Sequence, residues 1–407
     1  MTPRDGIAAL ALALAMLAGA GARAGEPAQG GGLQPYQMVR SLELVQDRIA
    51  GGDHAALPMQ KKLLELIDAR FRSASSTEFS ERRNFDALMI YAMSGGNPTT
   101  VAASLGGLSL DEADRAATAG VLGYLGGDVA GARDAMARVE PSAHTPEVAA
   151  FLALVKGSVV AGENARAGMA LLDHARLLAP GSLVEEAALR RTLSLAVMAT
   201  DPERFLRASE QYARRFLRSP YAAQFAETFV SGILTLKDEL DLARVEAVVS
   251  WMSQEQAKTV YLRLARRAAI DGDATLLAFA SQRAVEDAQA APDGLDPRSE
   301  LYSSISSVTS ETVDEVLSRL IELDASKLSA SDRALLDAAR AIATEVVAPV
   351  RLARPENAPA ADEEAAGPVR AAAPAEPAPD AGQLDPLVVS ARARLKEIDR
   401  MLEESEQ

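Results

Sequence analysis

Cysteine is absent from the 407-residue sequence, which excludes disulfides, thiol catalysis and attachment to lipid through an N-terminal cysteine. An oxidising compartment neither requires nor contradicts that absence. Aromatic residues are scarce, at 4% against 48% apolar residues overall. The core must therefore come mostly from alanine, leucine and valine, a composition that favours helices over sheets. Basic charge is in deficit as well: the formal net charge is −15 and the isoelectric point about 4.9. A general grip on nucleic acid or acidic lipid is excluded by repulsion, leaving only local basic patches.

Long apolar runs are missing beyond the N-terminus, so nothing later in the chain is expected to insert in a membrane. Residues 1–24 read as a cleaved signal peptide. Arg4 is the positive flank, residues 7–18 the apolar stretch, and Ala22-Arg23-Ala24 the small-x-small cleavage site. The apolar stretch is shorter than the roughly twenty residues of a membrane span. The expected location is the periplasm.

What is present is helical punctuation. In residues 155–191, Gly162-Glu163-Asn164 turns the chain, Ala167, Leu171, Ala175 and Leu178 keep a three-and-four rhythm, and Pro180-Gly181 stops it. Ser182 and Glu185 then have capping-box spacing. Small residues (Ala167, Ala175, Ala187, Ala188) let antiparallel axes approach. Proline landmarks recur at Pro141, Pro180 and Pro220, intervals of 39 and 40 residues. Gly-acidic turns recur at Gly127-Asp128, Gly162-Glu163 and Gly272-Asp273. Such spacing predicts an all-α fold of tetratricopeptide-like helical hairpins. One hairpin buries too little apolar surface to offset the entropy of ordering it, so the hairpins must stack into a curved superhelical array with a face free for a partner.

Along the chain, helices are expected at 35–50, 57–71, 78–93, 101–105, 110–125 and 129–139, with Thr145-Pro146-Glu147 capping the next. Further hairpins fill the stretch to about residue 347, giving a helical repeat domain over 33–347. Residues 348–386 are rich in proline, alanine and acids and form an expected disordered linker. Residues 387–404 place Val388, Ala391, Leu395, Ile398 and Leu402 on one seam, an amphipathic C-terminal helix.

A search for chemistry returns no H-E-x-x-H, nucleophile elbow, P-loop or S-x-x-K pattern. His54, His144 and His174 lie far apart and lack neighbouring ligands at metal spacing. His174 reads as a packed or edge residue, and Glu185 as a cap rather than half of a glycosidase pair. No catalytic, cofactor or metal residues are assigned. One polar feature stands out: Arg190, Arg191, Arg204, Arg207, Arg214, Arg215 and Arg218 face only Asp201, Glu203 and Glu210 in the same stretch. A solvated, internally paired face accounts for the run. The alternative is a partner-binding surface made of Arg190, Arg191, Arg207, Arg214, Arg215 and Arg218, since guanidinium suits acidic partners. Phe216, Tyr221 and Phe225 read as core.

Three phrases, LLDHARLLAPGSLVEEAALRRTLSLA, PYQMVRSLELVQDRIAGGDHAAL and FAETFVSGI, resemble the periplasmic motility protein MotC family of flagellated α-proteobacteria related to rhizobia. The similarity covers about residues 33–290 and fades through the linker. The resemblance implies a non-enzymatic exported protein that associates with the periplasmic domain of the stator protein MotB and supports flagellar rotation. It brings no cofactor residues. A generic envelope assembly adaptor unrelated to motility is the second reading. An enzyme is the third: some lytic transglycosylases carry helical arrays, but the Glu-Ser start and Gly-Leu-Met-Gln stretch of their catalytic domains are missing after residue 290.

Overall fold

Short polar side chains start the helices. Asn97, Asp111, Asp128, Asn164, Asp201, Asp241 and Ser253 each accept a hydrogen bond from a first-turn backbone N–H, satisfying donors that have no partner inside the helix. Pro35, Pro98, Pro146 and Pro202 occupy first-turn positions where a missing N–H costs nothing. Gly127 and Gly272 end their helices in the left-handed conformation.

The computed structural model describes residues 33–289, 296–307 and 313–347, and these contain seventeen α-helices, three short 3-10 helices and no strand. The helices are α1 (Pro35–Ala50), α2 (Ala56–Ser73), α3 (Arg82–Met93), α4 (Pro98–Leu105), α5 (Glu112–Gly126), α6 (Val129–Ala137), α7 (Pro146–Val160), α8 (Ala165–Leu178) and α9 (Leu183–Met198). They continue as α10 (Pro202–Arg215), α11 (Ala222–Leu236), α12 (Leu242–Val249), α13 (Gln254–Asp271), α14 (Ala274–Gln289), α15 (Pro297–Ser307), α16 (Val313–Glu322) and α17 (Ala330–Val347). Helices pair as hairpins at α1–α2, α5–α6, α7–α8, α9–α10, α13–α14 and α16–α17, and hairpins pack on their neighbours in the expected all-α repeat array, with α12 packed on α10 rather than on the helix that follows it. The expected signal peptide, linker and C-terminal helix lie outside the described residues.

Two large cores form, one from α1 to α7 and the other mainly from α9 to α17, with Met169 of α8 joining the second. Between them sits a small cluster of Ala150, Ala153, Leu172, Ala175, Val184 and Ala188 on α7, α8 and α9. The few aromatics are concentrated: Phe71 meets Phe79 and Tyr91 edge-on in the first core, while Tyr212, Phe225 and Phe229 stack in the second. Phe216 and Phe225 are buried as expected. Closest approach at the α7–α8 hairpin falls on Gly157 and Gly168, where a Cβ on Gly168 would lie 2.8 Å from the Gly157 carbonyl. Of the small residues singled out in the sequence, Ala175 and Ala188 are fully buried, whereas Ala167 and Ala187 are only partly so.

Three local expectations are corrected. The helix expected over 78–93 is broken, because Ser75 and Glu78 form a capping box around a separate 3-10 turn (Ser76–Ser80) that turns Phe79 into the core. Thr145 does not cap α7; its hydroxyl donates to Asp86 instead, at 3.1 Å. At α9, Ser182 accepts from Val184 and Glu185 N–H, but the Glu185 carboxylate reaches past Ser182 to the Gly181 N–H at 2.6 Å.

A fourth departure concerns topology. Beyond neighbour-to-neighbour stacking, α1 packs on α9, and Ala50 at its end joins the second core. The α1–α2 turn then meets the α10–α11 turn: His54 Nε2 lies 2.8 Å from the Arg218 carbonyl oxygen. Gly52 makes this possible. Its φ is +98°, and a Cβ there would sit 2.4 Å from the Arg218 Cβ.

Candidate interaction surface

The arginine run sits on α9, α10 and the α10–α11 turn, and its charge balance differs from the local count. Carboxylates from earlier in the chain supply the missing partners. Arg190 grips the fully buried Glu186 through Nε at 3.0 Å, and Glu186 also accepts from the Tyr212 hydroxyl at 2.7 Å. The neighbouring Tyr221 ring lies 5.0 Å from the Arg190 guanidinium carbon. Arg191 is bound to Ser158 Oγ and to the Tyr124 hydroxyl. Arg204 pairs with Asp173 at 3.6 Å, while Glu203 is taken by Arg244. Arg215 holds both oxygens of Glu185, at 2.6 and 2.7 Å, through Nη1.

The remaining members look outward. Arg214 is exposed, 3.5 Å from Glu210, with its guanidinium carbon 4.6 Å from the centre of the Trp251 ring. Arg207 and Arg218 are exposed and pair with no carboxylate among the described residues. The six candidate residues therefore do not form one surface. Arg190 and Arg191 brace the interior, and Arg214 and Arg215 line a groove of about 550 Å³ between α8 and α10. Arg176, Leu177, Pro180, Glu185 and Gln211 complete that lining. Sequence reasoning missed Arg176, Leu177 and Gln211. The signal was available in Leu177, an apolar residue off the inward stripe of α8 and 69% exposed.

On the other flank of the same α8–α9 turn lies a cleft of about 230 Å³ that also touches Pro180. Its acidic walls are Glu43 and Asp47 from α1 and Glu147 from the first turn of α7. None of these carboxylates has an ion pair among the described residues. Burial, then the charges of Glu147 and Asp47, push the Glu43 carboxyl up from 4.5 to about 7, with Arg40 offsetting part of the effect. Burial raises Asp47 too. No spacing in the sequence could have revealed this cleft, because it is made by the return of α1.

Elsewhere, Arg82, Asp86, Asp114 and His144 converge: Arg82 reaches both Asp114 oxygens, and His144 Nδ1 is 3.6 Å from Asp114. Burial lowers the His144 pKa below its ordinary value. His54 and His174 stand apart from this group. Among the described residues no group of three or more acidic or histidine side chains is placed to hold a metal ion, and no helix is long and apolar enough to cross a membrane.

The sequence matches the family described as Chemotaxis protein MotC over residues 1–407. The chain belongs to the MotC family. It is 35% identical over 399 residues to Chemotaxis protein MotC of Rhizobium meliloti (strain 1021), a match spanning 91% of this chain and 92% of that protein. No solved structure matches it. The MotC match extends further than the three phrases suggested, running past residue 290 through the proline- and alanine-rich segment and the C-terminal heptads. Membership in the MotC family makes this a chemotaxis-related protein whose groove and cleft both lie within the matched region.

Proposed function

We propose that the protein is a non-enzymatic periplasmic scaffold of the flagellar motor, which binds the periplasmic domain of the stator protein MotB and stabilises or positions it to support motility. Family membership along the whole chain is the observation that carries the reading. The array supports it physically: stacked hairpins leave long stretches of helix surface outside the core, and here one such stretch carries arginines already held in place from beneath. The polar cluster of Arg82, Asp86, Asp114 and His144 is spent on joining α3, α5 and the turn that leads into α7. Export rests on the sequence of residues 1–24.

A clean deletion strain should assemble flagella yet swim poorly or not at all, and the purified chain should capture the MotB periplasmic domain. Normal swimming of the deletion strain, or envelope defects that persist in cells without flagella, would remove the motor from the account.

A further inference from the structure

We infer that the groove between α8 and α10 docks an acidic segment of a partner protein, a peptide that sets carboxylates against Arg176, Arg214 and Arg215 and an apolar side chain against Leu177. This rests on the scaffold reading and names the chemistry of the partner.

The geometry of the three guanidinium groups is the main support. Each is oriented by an internal contact that uses only part of its five N–H donors. Arg176 gives its Nε to Asp173 at 2.9 Å. Arg215 gives only Nη1 to Glu185, which leaves Nε and Nη2 for a second carboxylate. Arg214 lies over Trp251. Arginines held this way lose less rotamer freedom when they bind, so their charge-assisted bonds yield more net affinity.

Charge selects the occupant. The lining carries three arginines and one carboxylate, Glu185, which is itself 4% exposed beneath Arg215, while the partners of the other two stand outside it: Asp173 is shared between Arg176 and Arg204, and Glu210 lies 3.5 Å from Arg214. The chain as a whole is at −15, so an acidic segment is repelled by most of the surface and drawn to this groove. Shape argues for a peptide over a small anion. The arginines come from two helices, the volume is that of several side chains, and Leu177 and Pro180 add an apolar lining that a phosphate would leave unused.

Trp251 is the only tryptophan in the chain, so its emission reports on the Arg214 side of the groove. The test titrates the full chain with a labelled synthetic peptide of alternating leucine and glutamate, read by anisotropy and by Trp251 emission. Its companions are the same peptide with glutamine for glutamate, inorganic phosphate, and a peptide of residues 356–367 containing Asp362, Glu363 and Glu364. Saturable binding by the leucine–glutamate peptide is expected, weakening with salt and falling about tenfold in the Arg176→Gln/Arg214→Gln double variant. Leu177→Ser, which leaves every charge in place, should weaken binding about threefold. Both variants alter exposed or tethered side chains, and unchanged thermal melting confirms that they fold.

Equal binding of the glutamine peptide, or of either variant, overturns the proposal. Displacement of the peptide by millimolar phosphate alone reassigns the groove to a small anion, and tighter binding of the 356–367 peptide reassigns it to the chain's own tail. A groove that passes while capture of the MotB domain fails removes the stator and keeps the acidic partner. The reverse result places the stator on another face.

Discussion

The two flanks of the α8–α9 turn share Pro180 and little else. On the basic side, Arg176 pairs with Asp173 on its own helix and Arg215 with Glu185 on α9, and the Glu185 carboxylate beneath Arg215 is nearly covered. On the acidic side, Glu43, Asp47 and Glu147 line the cleft without an ion pair among the described residues, and burial first, then the charges of Glu147 and Asp47, push the Glu43 carboxyl to about 7. Compensated charges become oriented donors. Buried, uncompensated ones become titrating groups whose desolvation, and then mutual repulsion, is relieved by binding protons. The first flank is arranged to hold an acidic partner at any ordinary pH, while the second changes its own charge across the neutral range.

The largest effect that could break this contrast is at Arg215. Removing it (Arg215→Ala) leaves the Glu185 carboxylate buried without its counterion, which should cost about 3 kcal/mol in denaturant or thermal unfolding. Removing Glu185 instead strands a guanidinium that is half exposed and can be hydrated, together with one backbone N–H, and should cost about 1 kcal/mol. If Glu185→Ala proves the more damaging of the two, Arg215 is not what keeps the Glu185 carboxylate in place.

Next in size is Gly52→Ala, which forces a left-handed residue and a clash with Arg218 and should cost about 2 kcal/mol. It should also relax the α1 wall of the acidic cleft, so the pH dependence described next should shrink in that variant.

The smallest effect is the titration of Glu43. A carboxyl whose folded pKa lies above its unfolded value binds a proton more tightly when folded. Its contribution to stability is therefore complete below about 4.5 and is lost as the pH rises through about 7. With part of the side chain in water, the loss should be on the order of 1 kcal/mol over that interval. Glu43→Gln should flatten it and raise the melting temperature at pH 8. An unchanged slope in that variant would mean that the cleft is better hydrated than its walls indicate.

Much of the fold was legible in the sequence because helix ends are local. Asn164, Asp201 and Ser253 announce starts within a turn of the donors they satisfy, and Gly127 and Gly272 mark ends by their own conformation. The surface was legible only in part. The arginine run is visible as composition, but its partners Asp173, Glu185 and Glu186 lie on neighbouring turns and helices, so the local count left it overcharged. The break at residues 76–81 was missed because Phe79 fits a helical rhythm, whereas the structure uses Phe79 to fill a space between Phe71 and the rest of the first core. The acidic cleft had no local signal, since Glu43 and Glu147 meet only when α1 comes back across more than a hundred residues.

That return also gives the two ends of the array different mechanical character. From α11 onward each helix is held by near neighbours in the sequence, so tension applied to the C-terminal end would peel units off one after another. The first ten helices are clipped into a closed loop by α1 on α9 and by Gly52 against Arg218 in the α10–α11 turn, and they must give way together. Pulled from its far end, such an array would stay stiff at its early helices and spend its compliance in the later ones.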